Sequence, residues 1–219
     1  NISNNNELLM LVNSACNIDI EIIDGQKEAE LIYKGNLLGL KIKNGSMILD
    51  IGGGSVELIL IQSEEVQYYF SFQIGISHLR HLFPVKNDHE EARVKAMSDY
   101  IISELTEIDT RLAQFQYNTL IGASGPFEIL ESLEQLSPNK EGHLIDRDAT
   151  IRWCNEVLGK NREARNKMRH MPENRSDLSL ESMLIVKTVL EKISSINMVH
   201  ISPYALKEGV IADSFFKSI

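Results

Sequence analysis

Residues 49–58, LDIGGGSVEL, set three consecutive glycines between two aliphatic runs. Upstream, SMILDIG (46–52) is apolar apart from Ser46 and Asp50, as expected of a strand buried on both faces. Downstream, SVELILIQ (55–62) is again β-branched and aliphatic, so the glycines join two strands, and a hairpin is expected. A dinucleotide fingerprint is excluded because a strand, not a helix, follows; a Walker A loop is excluded because no Gly-Lys-Ser/Thr follows. Glycine opens backbone conformations closed to other residues and lets a ligand touch the main chain. Successive amides in such a turn form an anion-binding nest. Read alone, the turn is either a phosphate cradle or a plain tight turn.

Working outward, EEVQYYFSFQIGI (64–76) supplies a third strand. On the N-terminal side, residues 6–16 read as a helix, with Leu8, Leu11, Val12 and Ala15 at helical spacing, followed by a short strand at 18–23 and a helix at 25–35. On the C-terminal side, residues 88–114 read as one helix. Val94, Met97, Ile101, Leu105, Ile108 and Leu112 share a face, and Asp88 with Glu91 forms a capping box. A buried strand, NTLIGASG (118–125), leads into a helix with Pro126 near its first position. Residues 147–167 and 177–193 are helical, 196–202 is a strand and 205–219 a last helix, with loops at 137–143 and 167–177. The order predicts an α/β layered domain and not an all-parallel alternation.

The 219 residues carry a net charge of −9, so the surface as a whole repels nucleic acids and other polyanions unless amides, a metal or a local basic cluster reverses the field. No apolar run approaches the ~18 residues of a membrane span. Cys16 and Cys154 stand far apart without a partner motif, against a disulfide framework or a zinc site; two ordinary core or half-buried thiols are expected.

Asp50 and Glu57 flank the glycine turn. Carboxylates beside a phosphate site make sense when a cation or a water stands between them and the phosphate, whereas strand alternation alone points Glu57 to solvent. A second glycine loop, GASG (122–125), ends another buried strand and is either a second cradle or a plain strand-to-helix turn. Lys160, Arg162, Arg165, Lys167, Arg169, His170 and Arg175 form the one dense positive run, either a guide for an extended polyanion or a solvated helix face. His78 and His81, beside Arg80, read as surface residues.

IEIIDGQKEAELIYKG, LDIGGGSVEL, IGASG and YALKEGVIAD, in that order, resemble the exopolyphosphatase and guanosine pentaphosphate phosphatase family, from about residue 6 to the C-terminus. That family belongs to the actin, sugar-kinase and Hsp70-like ATPase superfamily. The resemblance implies a ribonuclease-H-like (actin-like ATPase) domain, with a mixed sheet of three antiparallel strands and flanking helices. It makes residues 1–30 the tail of a first such domain and 31–219 the second, the last helix packing back on the first. It matches Glu28 to the base that activates water, Glu57 to a second carboxylate that orients water or Mg2+, and Asp50, with Glu57, to the metal site. Asp50, Gly52, Gly53, Gly54 and Ser55, with Gly122, Ser124 and Gly125, match the phosphate-binding loops.

The pattern is broken where Val56 and Pro126 replace threonines, where Lys27 stands for a glutamate and where Lys207 stands for an arginine. The implied activity is Mg2+-dependent release of terminal orthophosphate from polyphosphate or guanosine pentaphosphate by a cytoplasmic homodimer, with no nucleic-acid or membrane partner. The chain alone is expected to be inactive. A non-hydrolytic alarmone sensor of the same fold is the alternative.

Overall fold

The computed structural model describes residues 5–85 and 90–216; Asp88 of the expected capping box lies outside them. The chain begins with helices α1 (Asn5–Cys16) and α2 (Gly25–Leu37), then strands β1 (Ser46–Ile51), β2 (Val56–Gln62) and β3 (Glu65–Phe72). Helices α3 (Ile76–Leu82), α4 (Glu90–Glu104) and α5 (Asp109–Leu112) lead to β4 (Thr119–Gly122), α6 (Gly125–Leu133) and β5 (His143–Asp146). Helices α7 (Arg147–Leu158), α8 (Arg162–Asn166) and α9 (Ser179–Lys192), strand β6 (Met198–Ile201) and helix α10 (Leu206–Phe216) complete it.

The sheet has six strands in the order β3-β2-β1-β4-β6-β5. The expected antiparallel trio is present, with Ile51 opposite Val56 at the glycine turn. Strands β4 and β6 extend it in parallel, and β5 closes the far edge antiparallel to β6. Strand β5 escaped the sequence reading because, at an edge, only Ile145 of HLID is buried, leaving no apolar run to see.

The expected strand at 18–23 does not form. Ile18, Ile20 and Ile22 alternate as a strand would but are exposed, and no sheet neighbour pairs with them among the described residues. The helix expected over 88–114 is broken into α4, a 3-10 turn at Leu105–Ile108 and α5, although its buried face of Met97, Ile101, Leu105 and Ile108 is as expected. At the break, Ser103 and Thr106 donate their hydroxyls to the carbonyls of Tyr100 and Ser103, at 2.7 Å each, in competition with the helical ladder. The helix expected over 147–167 stops at Gly159 and restarts as α8, where the Asn161 side chain accepts from the Ala164 amide.

Strand alternation sorts the core into two layers. Met47, Leu49, Ile51, Val56, Leu58 and Leu60 face α3, α4, α6, α7 and α9, while Ile48, Ile59, Ile61 and Ile121 face Ala29 and Ile32 of α2. Asp50 and Glu57 belong by parity to the α2 face. Helix α10 lies on α2 so closely that a side chain at Gly209 would overlap the Leu31 carbonyl and one at Gly35 the Ala205 carbonyl. Lys34 clamps the crossing, bridging Glu30 at 2.5 Å and Asp213 at 2.6 Å.

Candidate active site

The glycine turn sits where β1 ends, and its carbonyls are all committed to one neighbour. Ile76 donates to the Gly52 carbonyl (3.0 Å), Ser77 and His78 to that of Gly53 (2.7 and 3.2 Å), and Gly75 to that of Gly54 (3.1 Å). In a trans peptide, the C=O of one residue and the N–H of the next point in opposite directions. With three successive carbonyls turned toward the start of α3, the amides of Gly53, Gly54 and Ser55 are turned away from it. None of the three donates to a protein acceptor among the described residues. Three aligned, uncommitted amides in an exposed loop make an anion nest.

Gly75 makes this possible, since a Cβ there would stand 2.5 Å from the Gly54 carbonyl carbon and 2.6 Å from that of Gly53. Sequence reasoning placed Gly75 in the third strand and missed its role. The signal available was a glycine immediately before a short helix that follows a strand.

Across the β1–β2 pair Asp50 stands opposite Glu57, and across β2–β3 Glu57 stands opposite Ser71. Glu57 is 1% exposed, so it does not point to solvent; its Oε1 accepts the Ser71 hydroxyl at 2.8 Å. Glu28 projects from the first turn of α2, which starts at the Asp24 cap, where the Asp24 carboxylate accepts the Lys27 amide at 2.8 Å. Lys27 itself is engaged elsewhere, by Glu30 at 3.1 Å and by Asp213 at 3.8 Å, and leaves Glu28 uncompensated.

Asp50 feels both of the other carboxyls, and Glu57 feels Glu28. Asp50 is pushed up to about 7, first by burial, then by the charges of Glu57 and Glu28, against the hydrogen bond of Ser124. Glu57 is raised by burial and by Glu28, and half-buried Glu28 is raised by burial.

A raised folded-state pKa means that the fold holds the proton of Asp50 more tightly than the unfolded chain does. The contribution of Asp50 to stability is therefore lost as pH rises from about 4 to about 7, and is level above that. Asp50→Asn removes the effect. In metal-free protein its advantage over the wild type in urea unfolding midpoint should be small near pH 4, grow toward pH 7 and stay constant beyond; an advantage that shrinks with rising pH would contradict the assignment.

The second loop meets the first through Ser124, whose hydroxyl oxygen accepts the Ile51 amide at 2.9 Å, and through the Ala123 amide, which donates to the Leu49 carbonyl at 3.0 Å. Gly122 lies below the loop, buried against the Phe127 ring, where a side chain would clash. Pro126 is buried in the first turn of α6. The guanidinium of Arg175 rests on Gly125, 2.5 Å from where a Cβ would stand, and Glu128 holds it at 2.7 and 3.1 Å. Beside this loop opens a cavity of about 870 Å3, walled by Ile201, Pro203, Leu206, Val210 and Ile211.

The structure thus gathers Glu28, Asp50, Gly52, Gly53, Gly54, Ser55, Glu57, Ser124 and Gly125 at one end of the sheet, and adds Ser71, Gly75 and Arg175. The basic run is not one stripe. Arg175 joins the second loop, Lys160 and Lys167 pair with Glu156 and Glu163, and Arg162 and Arg165 line a cavity together with Arg80 and Arg93. Of the cysteines, Cys154 is buried and Cys16 is exposed rather than half-buried.

No helix among the described residues is long and apolar enough to cross a membrane. No group of three His, Cys, Asp or Glu side chains among them is arranged to hold a metal on its own. An oxygen-only pair such as Asp50 and Glu57 suits Mg2+, which is commonly bound by one or two carboxylates together with substrate phosphates.

The profile of the Ppx/GppA phosphatase family matches residues 1–218. Exopolyphosphatase 1 of Mycobacterium leprae is 24% identical over 214 residues, 95% of this chain and 63% of that protein. The guanosine-5'-triphosphate,3'-diphosphate pyrophosphatase of Aeromonas hydrophila is 28% identical over 132 residues, 60% of this chain and 26% of that one. Among solved structures, an exopolyphosphatase from Cytophaga hutchinsonii superposes with a TM-score of 0.87 at 29% identity, covering 99% of this chain and 72% of its own. The Ppx/GppA enzyme of Aquifex aeolicus gives 0.78 at 24%, covering 96% and 71%. This chain spans a little under two thirds of the length of curated relatives that it matches, 63% and 64%. A ribonuclease-H-like, actin-like ATPase fold, a nest of glycine amides beside buried carboxylates and a match along nearly every residue agree, and the chain belongs to the Ppx/GppA phosphatase family.

Proposed function

We propose that the complete protein hydrolyses a terminal phosphoanhydride bond, releasing orthophosphate from inorganic polyphosphate or guanosine pentaphosphate. The observation that carries this reading is the nest of Gly53, Gly54 and Ser55 amides, turned outward because their neighbours' carbonyls bond to α3. The amides bind the phosphoryl oxygens and hold the chain end in line, and positioning with charge stabilisation is most of what phosphoryl transfer requires. Glu28 takes the proton of the attacking water; a carboxyl raised by burial is a better base near neutral pH than an exposed one. Asp50 and Glu57 would hold Mg2+, which when bound supplies positive charge on the phosphoryl oxygens. Ser71 keeps the Glu57 carboxylate oriented. Arg175 can exchange the Glu128 carboxylate for a phosphate oxygen, guanidinium forks being suited to both.

The cavity beside the second loop, lined by Glu128, Glu131 and Lys207 as well as by Ile201, Leu206 and Val210, favours a nucleotide over a bare phosphate chain, because its apolar wall can cover a base. The same cavity supports the alternative of an alarmone sensor that binds without turnover. Orthophosphate release by the full-length protein with Mg2+, measured side by side on long-chain polyphosphate and guanosine pentaphosphate, decides. Turnover of the nucleotide at the higher kcat/KM is expected. Calorimetric binding of the alarmone with no release would leave only the sensor, and neither binding nor release would remove both.

A further inference from the structure

The cavity beside the second loop holds one acid for which the fold has no use. Glu128 and Glu131 stand about one turn apart on α6, and both line it. Its other polar side chains are committed. Ser124 accepts the Ile51 amide, Ser202 accepts the Tyr204 amide at 3.1 Å and donates to the Tyr204 carbonyl at 3.2 Å, and Glu128 holds Arg175. Lys207 is 81% exposed and lies 3.6 Å from Glu208. The Glu131 carboxylate accepts no hydrogen bond among the described residues. The ionisable group beside it, His143 Nε2, stands 3.7 Å away, and that nitrogen is 2.7 Å from the Ser137 carbonyl. A carbonyl only accepts, so the Nε2 proton is given to Ser137 and not to Glu131.

The apolar wall of the same cavity, Ile201, Leu206 and Val210, suits the flat face of a ring. An ionised carboxylate offers acceptors alone. It repels phosphoryl oxygens, so the phosphates of a nucleotide belong at the glycine loops and the base belongs here. The Glu131 side chain is 28% exposed, partly withdrawn from water with no protein donor in exchange, and a donor on a ligand restores what it lacks. Among the purines, guanine carries two adjacent donors on its pairing edge, N1–H and the 2-amino group, which match the two oxygens of a carboxylate. Adenine sets the lone pair of its N1 against those oxygens. Xanthine has a carbonyl where guanine has the amino group, and so opposes an acceptor to an acceptor.

We propose that Glu131 reads the base of a bound nucleotide, accepting the N1–H and 2-amino donors of guanine, and makes this cavity a guanine site. The inference rests on the nucleotide reading of the cavity and adds the side chain that chooses among bases. Glu131 touches no reacting atom; its part is specificity.

Guanosine, xanthosine and adenosine triphosphates are titrated by calorimetry into the complete protein carrying Glu28→Gln, which keeps binding apart from turnover, and into the same protein with Glu131→Gln added. Before the second change, the guanosine nucleotide is expected to bind about tenfold or more tighter than the other two, the discrimination of one bidentate pair. A carboxamide offers one acceptor and one donor, which fit the N1–H and 2-carbonyl of xanthine. Glu131→Gln should therefore weaken the guanosine nucleotide about tenfold and bring the xanthosine nucleotide above it. A damaged fold cannot produce that gain. Equal binding of the three nucleotides before the change, binding of none of them, or an order of guanosine and xanthosine that Glu131→Gln leaves as it was overturns the inference. Orthophosphate release from long-chain polyphosphate, assayed with Glu28 and Glu131 intact, tests the hydrolytic reading by itself. Release without base discrimination keeps the hydrolase and removes the guanine site, and discrimination without release does the reverse.

Discussion

Glu28→Gln is expected to lower orthophosphate release by the complete protein by about 10²–10⁴-fold with little change in KM, the range that a positioned general base contributes. Glutamine keeps the length of the side chain and its place on the first turn of α2 but cannot take a proton. Folding should not suffer, because the change removes a charge that raises both Asp50 and Glu57. A thermal melting midpoint equal to or above that of the wild type, measured beside the kinetics, separates lost chemistry from lost structure. The companion change Glu57→Gln should behave differently, since Glu57 is buried, faces Asp50 and is aimed by Ser71. Its loss is expected to weaken Mg2+ dependence as well as rate, read as a rise in the Mg2+ concentration giving half-maximal release. If Glu28→Gln retains most of its activity, the base lies elsewhere.

The second large effect is expected at a residue outside the glycine run. Gly75→Ala brings a methyl group within 2.6 Å of backbone carbons of Gly53 and Gly54, atoms that cannot rotate aside. The loop must shift by a fraction of an ångström to an ångström, and misplacement on that scale can cost on the order of 10²-fold in rate. Overpacking of this kind also destabilises, by about 1–3 kcal/mol. Gly54→Ala, by contrast, places its methyl in open space and should leave stability near that of the wild type. Urea unfolding and phosphate release on the two variants therefore give an inverted picture of the sequence, in which the glycine beyond the motif matters more than one within it. Equal tolerance at both positions would sink the account of how the carbonyls are held.

What could be read from the residues and what could not divide along physical lines. The hairpin around the glycine turn was legible because aliphatic runs on both sides left no other partner for the chain. Asp50 and Glu57 were legible as acids in apolar strands, but their shared face depends on register, which the pairing of Ile51 with Val56 fixes. The resemblance singled out Glu28, whereas local sequence left it indistinguishable from any exposed helical acid. Ser71, Gly75 and Arg175 were not legible, because each acts through tertiary contact with a distant segment. The basic run left both of its readings open for the same reason, since charges adjacent along the chain are divided by the folding of α8 and the loop before α9 among separate places. Strand β5 and the false strand at 18–23 show that alternation reports burial only where a neighbour exists to cover it.

The crossing of α10 over α2 has a bearing on the cleft that distance along the chain conceals. Gly35 and Gly209 let the two backbones touch, and Lys34 ties both helices through Asp213. Helix α2 carries Glu28 at its other end, so the C-terminal helix works as a splint for the base. A chain ended before Leu206 would keep every carboxylate and glycine of the site, yet would leave Glu28 on a helix with one flank bare to water.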